Sequence, residues 1–192
     1  MTTRCEWAEK SPQLLIYHDL EWGVPVRSEQ QLFENLCLEI FQAGLTWETV
    51  LKYRSGLRAA FYEFDVARIA TMSVQSQGQL YANPTIIKNR AKIDAVVENA
   101  RVLAALHDLD WSLVRLFWAQ VHDTPLDHHL QPGENPAIKL FVDTVSQTLK
   151  LLGFKRIGPR TVYSTMQASG MVNDHFQTCY RHQELALGGE TV

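Results

Sequence analysis

The chain is poor in cysteine, with three thiols (Cys5, Cys37, Cys179) in 192 residues. Three scattered cysteines cannot form a disulfide framework, which excludes the small stapled secreted folds. No run of about 18 apolar residues occurs, so no membrane-spanning helix is expected. The N-terminal Met1-Thr-Thr-Arg-Cys-Glu-Trp is not followed by the apolar core of a signal peptide, and a cytoplasmic location is expected. There is no internal repeat, no heptad run and no alternating strand pattern with hairpin signals. What remains is ordinary globular composition, 46% apolar and 20% charged, which excludes disorder and a collagen-like fibre.

The net charge of −3 argues against indiscriminate binding of polyanions, but the distribution is uneven. Residues 1–50 carry three basic side chains against eight acidic ones, whereas residues 137–160 carry five basic against one acidic. A basic segment on an acidic body can steer phosphate locally, and a solvated helix face has the same composition.

The apolar periodicity is helical nearly throughout. Ser28 and Gln31 predict a capping box for a helix over roughly 29–41, with a stripe of Leu32, Phe33, Leu36, Cys37 and Ile40, ended by Gly44. Thr46 is expected to cap a second helix carrying Val50, Leu57 and Phe61. Asp65 and Ser73 cap two short ones. Asn83-Pro84 is expected to open a long helix through Leu103, and Asp110 to cap the next. Residues 122–135 are rich in turn formers and read as a loop. Asn135-Pro136 predicts another helix start, Gly153 its end, and Pro159 to Gly170 a further helix. The segment after His182 is polar and Gly-rich and is expected to fray. The fold class is all-α, with one domain over 1–182 and a tail at 183–192.

Three groups of residues carry chemistry. The first is Gly153-Phe-Lys-Arg-Ile-Gly158-Pro159-Arg160. A Gly–Pro helix start leaves backbone N–H groups unpaired at the positive end of the helix dipole, which suits a phosphate. Lys155, Arg156 and Arg160 surround it. An ordinary helical connection has the same residues, and the helix-hairpin-helix reading, over 136–170, is one of two.

The second group is Cys5, His18, His175 and Cys179. On a helix, His175 and Cys179 would share one face at their spacing of four. Two thiolates and two imidazoles suit tetrahedral zinc, and four protein ligands would make it structural. It would staple residues 1–27 to 171–182. Spacing alone is not specific, and favours two buried thiols and two surface histidines. Cys37 lies in an apolar stripe and reads as core. His107, His122, His128, His129 and His182 show no ligand spacing.

The third group is aromatic: Trp7, Tyr17, Trp22 and Trp47, beside Glu39. Glu39 borders the buried stripe of its helix near the C-terminal end, where the dipole disfavours an anion. A carboxylate placed twice unfavourably is a site candidate. Aromatic faces and one carboxylate suit a flat, cationic, hydrogen-bond-donating heterocycle.

Taken together, the chain resembles the constitutive type I family of 3-methyladenine DNA glycosylases. The likeness is carried by Arg4-Cys5-x-Trp7, Tyr17-His18-Asp19-x-Glu21-Trp22-Gly23-Val24-Pro25, Cys37-Leu38-Glu39-x-x-Gln42-Ala43-Gly44-Leu45-x-Trp47, Asn99-Ala100, Gly153-Phe154-Lys155-x-x-Gly158 and Tyr163-Ser164-x-Met166-Gln167-Ala168-x-Gly170-x-Val172-Asn173-Asp174-His175. The resemblance implies a helix-hairpin-helix glycosylase fold with one structural Zn2+ on Cys5, His18, His175 and Cys179. It places the base pocket on Tyr17, Glu39 and Trp47, with Trp7, Trp22, Gln42 and Ser164 nearby. Leu14 departs from the family, which often has a pocket aromatic there.

The activity implied is hydrolytic excision of N3-methyladenine from alkylated double-stranded DNA, with free 3-methyladenine and an abasic site as products. The protein is expected to act as a monomer, by base flipping. Leu45, between Gly44 and Thr46, is the expected wedge. Gly158, Lys155, Arg156 and Arg160 would hold the backbone, with Lys88, Arg90 and Lys92 as further phosphate contacts. Glu39 and Tyr17 would act on the base, and Tyr17 and Trp47 would sandwich it. Asp174 takes no catalytic role. Two other readings are a helix-hairpin-helix DNA-binding module without catalysis and a zinc hydrolase or deaminase. The second fails on His18-Asp19-Leu20-Glu21, which is not an H-x-E motif.

Overall fold

The computed structural model describes residues 3–136 and 140–186. It is helical, with α1 (Pro12–Leu20), α2 (Glu29–Gln42), α3 (Trp47–Ala60), α4 (Val66–Ala70), α5 (Val74–Leu80), α6 (Arg90–His107), α7 (Leu113–Ala119), α8 (Leu140–Leu151), α9 (Pro159–Ala168) and α10 (Tyr180–Ala186). Two short strands, β1 (Leu126–Asp127) and β2 (Val172–Asn173), pair in parallel. Among the described residues no helix is long and apolar enough to cross a membrane.

α2 is the axis of the core. Every residue from Leu32 to Phe41 is buried, so the helix is enclosed all round rather than along one stripe. It packs on α3, α6, α7 and α9. Its start follows from Ser28, whose hydroxyl accepts from the Gln31 amide and satisfies one of the unpaired N–H groups of the first turn. Thr46, Asp65 and Ser73 cap α3, α4 and α5 in the same way. Gly153 ends α8 at φ +105, with Phe154 N–H on Leu149 O and Gly153 N–H on Lys150 O; this is the Schellman pattern. Gly170 ends α9 likewise, at φ +67. A Cβ there would run into the backbone of Gly23–Pro25, so glycine lets the N-terminal segment cross the end of α9.

Several expectations are corrected. α6 begins at Arg90, capped by Asn89, not at Asn83-Pro84. Asn83 instead accepts from the amide and hydroxyl of Thr85 in a local turn. Asp110 does not cap α7; Ser112 does, through the Arg115 amide. Asp110 sits at φ +57 and closes the C-terminus of α6, where Asp110 N–H reaches His107 O and Trp111 N–H reaches Leu106 O. The chain beyond His182 is helical to Ala186, with Leu185 buried. Asn135 and Pro136 are not helical, and the described part of α8 begins at Leu140; residues 137–139 and the tail over 187–192 lie outside the described residues.

Lys92 is the largest correction. It is buried, and its ammonium donates to Phe41 O at 2.7 Å and Ala43 O at 2.6 Å. It therefore caps the C-terminus of α2 instead of facing phosphate. Lys92→Met keeps the apolar stem and removes both bonds. It is expected to lower stability by about 2–3 kcal/mol, since hydrogen bonds to charged groups contribute roughly 1.5–3 each and the freed carbonyls regain some water. Urea unfolding checks this, and an unchanged midpoint would show the cap to be idle.

The α8–α9 turn is held by its neighbours. Asn99, fully buried in α6, accepts from Lys155 N–H at 2.6 Å and donates to Lys155 O at 3.1 Å. Ser146 donates to Ile157 O at 2.9 Å. The turn is thus fixed by side-chain clamps while Lys155, Arg156 and Arg160 stay exposed.

Candidate active site

Three polar residues lie buried in α2, and they differ in what they meet. Glu34 takes hydrogen bonds from Arg54 and Arg58. Asn35 donates to Ser169 at 2.9 Å. The Glu39 carboxyl has no hydrogen-bond partner among the described residues, although Glu39 is only 8% exposed. Burial pushes its pKa up from 4.5 to about 8, because desolvation penalises the charged form.

Glu39 lies in the wall of a cavity of about 250 Å³ lined by Trp7, Tyr17, Trp22, Gln42, Trp47, Arg160, Ser164 and Gln167. That is below the roughly 300–1,000 Å³ of sites for drug-sized ligands, and suits one small ring system. Arg160, Ser164 and Gln167 fall on one face of α9 at spacings of four and three. The seven pocket residues read from the sequence all line this cavity. Gln167 was missed, though its spacing from Ser164 could have shown it. Arg160, read as a phosphate contact, also borders the cavity.

The details differ from a simple sandwich. The Tyr17 and Trp47 rings lie 5.1 Å apart at 50°. A base between two faces needs roughly 7 Å, twice the stacking rise of 3.4 Å. The two rings touch and make a corner. The Trp47 indole N–H is buried with no partner among the described residues, so one donor is left without an acceptor at the cavity wall. The Tyr17 hydroxyl is pushed well above its usual pKa, first by burial and then by Glu39, and stays a neutral donor. Gln42 is partly committed: its amide donates to Leu45 O at 3.0 Å and braces the Gly44–Thr46 turn. Leu45 is half-buried at that turn.

The cavity rests on the cysteine–histidine cluster. Cys5, His18, His175 and Cys179 are all buried, with ligand atoms within 4.8 Å of one another. Cys179 Sγ lies 3.4 Å from His18 Nε2 and 3.6 Å from His175 Nδ1, and Cys5 Sγ lies 3.7 Å from His175 Nδ1. Tetrahedral zinc with bonds of about 2.3 Å to sulfur and 2.0–2.1 Å to nitrogen sets S···N near 3.5 Å. The outer hydrogen bonds fix both tautomers. His18 Nδ1–H donates to Asp19 at 2.8 Å, leaving Nε2 toward Cys179. His175 Nε2–H donates to Trp22 O at 3.1 Å, leaving Nδ1 toward the sulfurs. Donor type, spacing and orientation all fit zinc. Trp22 packs on His175 at 4.5 Å, and Trp7 on His18 at 5.3 Å, so two cavity walls stand on the cluster.

Asp174 is not in the cavity wall. It is buried and takes hydrogen bonds from Tyr163 at 2.7 Å, Gln167 at 2.7 Å and His128.

The methyladenine glycosylase family model matches residues 7–182. This chain belongs to that family. It is 40% identical over 177 residues to DNA-3-methyladenine glycosylase 1 of Escherichia coli (strain K12), covering 92% of this chain and 95% of the relative. The fold agrees with the crystal structure of a 3-methyladenine DNA glycosylase I, with a TM-score of 0.89, 40% identity and coverage of 93% and 98% of the two chains. A variant 3-methyladenine DNA glycosylase I in complex with 3-methyladenine matches with a TM-score of 0.86 at 31% identity, covering 92% and 96%. An enzyme of the methyladenine glycosylase family thus carries the cavity at Glu39.

Proposed function

We propose that this family member excises N3-methyladenine from alkylated duplex DNA by hydrolysis, without cutting the strand. The observation that carries this reading is the unpartnered Glu39 carboxyl in an aromatic cavity sized for one base. N3-alkylation makes adenine a cation, which is the charge a buried carboxylate lacks and aromatic faces attract. Normal adenine brings no charge and leaves Glu39 to be buried either ionised and unpaired or neutral. Glu39 would accept the donors of the base, and the Tyr17–Trp47 corner would pack on its face.

The alkylated base is already a good leaving group, so binding can supply much of the catalysis. The C–N bond breaks with its electron pair going to the base, which leaves neutral. Water adds to the sugar carbon and gives up a proton to solvent. Among the described residues no lysine lines the cavity, which supports a hydrolase over Schiff-base chemistry. Zinc on Cys5, His18, His175 and Cys179 would be structural, since four protein ligands leave no open position.

The α8–α9 turn supports phosphate binding as a helix-hairpin-helix element. α9 starts at Gly158–Pro159 with no side-chain cap on its N–H groups, beside the exposed Lys155, Arg156 and Arg160. Lys88 and Arg90 are also exposed and extend the same role, while Leu45 would fill the gap left by the flipped nucleotide.

Methylated duplex DNA incubated with the protein should release 3-methyladenine, resolved by chromatography, while 7-methylguanine stays in the polymer. Folded, zinc-loaded protein that binds DNA but releases no base would leave only a binding module.

A further inference from the structure

Away from the cavity, three residues without ligand spacing in sequence come together: Asp127 at the end of β1, His129 just after it, and His182 in α10. His182 Nε2 lies 3.0 Å from each carboxylate oxygen of Asp127. His129 Nδ1 lies 3.4 Å from the nearer one. The three donor atoms fall within 4.8 Å of one another. An ion with bonds of about 2.0–2.2 Å spaces tetrahedral ligands near 3.4 Å, so two of the three separations are already at or close to that value.

We propose that Asp127, His129 and His182 form a second divalent transition-metal site, distinct from the buried cysteine–histidine cluster. Two imidazoles and one carboxylate select zinc and its neighbours over magnesium or calcium, which take oxygen ligands. The site has three protein ligands, and the His129 side chain is 67% exposed, so water completes the coordination and the ion exchanges. The arrangement is preset. His129 holds φ +51, and its own N–H donates to Asp127 at 2.8 Å, which turns the imidazole back over the carboxylate. His182 is fixed by its helix, with its N–H on Cys179 O and its carbonyl taking Asn173 Nδ2. His128, next in sequence, points inward to Asp174 and is not a ligand. The ion would clip the 126–130 segment to α10.

The test counts metal. Protein dialysed against zinc is compared with His129→Asn, which tolerates the left-handed backbone and offers no imidazole, and with Asp127→Asn. Wild type should retain one more ion per chain than either variant. Cobalt loading separates the sites: the extra equivalent should add ligand-field absorption without thiolate charge transfer, and only in wild type. Zinc at about 100 times its dissociation constant for the site should raise the wild-type Tm by roughly 5–10 °C, and that of His129→Asn not at all. Equal metal counts in wild type and His129→Asn overturn the site. Retention of the extra ion by Asp127→Asn removes the carboxylate from it and overturns the site as stated.

Discussion

Cys179→Ser is expected to lower the Tm by at least about 10 °C and to abolish base release together with fold integrity around the cavity. The size follows from coupling of metal binding to folding: structural zinc contributes on the order of 10 kcal/mol in small domains, and roughly 2–4 °C accompany each kcal/mol in a chain of this length. Cys179 touches both imidazoles, whereas Cys5 meets only His175, so Cys179 is the sulfur whose loss disturbs the most of the ligand set. His175 in turn holds Trp22 O and packs on the Trp22 ring. Loss of the ion should therefore reach the cavity through Trp22 and Trp7. Thermal unfolding, tryptophan emission and metal content measured on the same preparation check this. A variant that keeps its Tm and its emission while losing metal would show the cluster to be incidental to the fold.

What could be read from the sequence was local. Ser28, Thr46, Asp65 and Ser73 cap where expected because a cap needs only the amide three residues on. Gly153 and Gly170 end helices because the left-handed position is built within one turn. Asp110 misled because the same side chain serves an N-cap or a left-handed C-terminal position, and only the length of α6 decides between them. Lys92 misled for a longer-range reason. Beside Lys88 and Arg90 it resembles one more surface base, yet helix packing turns it onto carbonyls some fifty positions earlier in the chain. The cavity residues were legible through the family resemblance. The touching Tyr17 and Trp47 rings, the bracing role of Gln42 and the unpaired Trp47 N–H depend on angles between helices that no spacing encodes. Asp127, His129 and His182 met through the parallel pairing of β1 with β2, a contact that two-residue strands do not announce.

Glu39→Gln separates the two consequences of a buried carboxyl. Excision of 3-methyladenine should fall by roughly 100-fold or more, the scale seen when a preorganised electrostatic partner is removed from a site, while affinity for undamaged duplex DNA stays within about threefold, because the phosphate contacts lie elsewhere. Equal loss of both would refute the assigned role. Stability should move the other way, and with pH. The folded chain holds the Glu39 proton up to about pH 8, against 4.5 for an ordinary carboxyl. A raised folded pKa contributes stability in full below the unfolded value and loses it as pH climbs through the folded one. Wild type therefore gives up stability between about pH 4.5 and 8, and the Gln variant, with nothing to ionise, does not. The two should melt alike near the bottom of that window. By its top the variant should melt at least about 5 °C higher, with no further gain beyond it. A melting difference that stays flat across the window would mean that Glu39 ionises like a surface carboxylate, and the preference for a cationic base would need another source. If instead the difference opens with pH while excision collapses, the empty site stores a desolvation penalty that only a cation relieves. Neutral adenine in the same cavity would leave that penalty in place, which is how one carboxyl can tell an alkylated base from its normal counterpart.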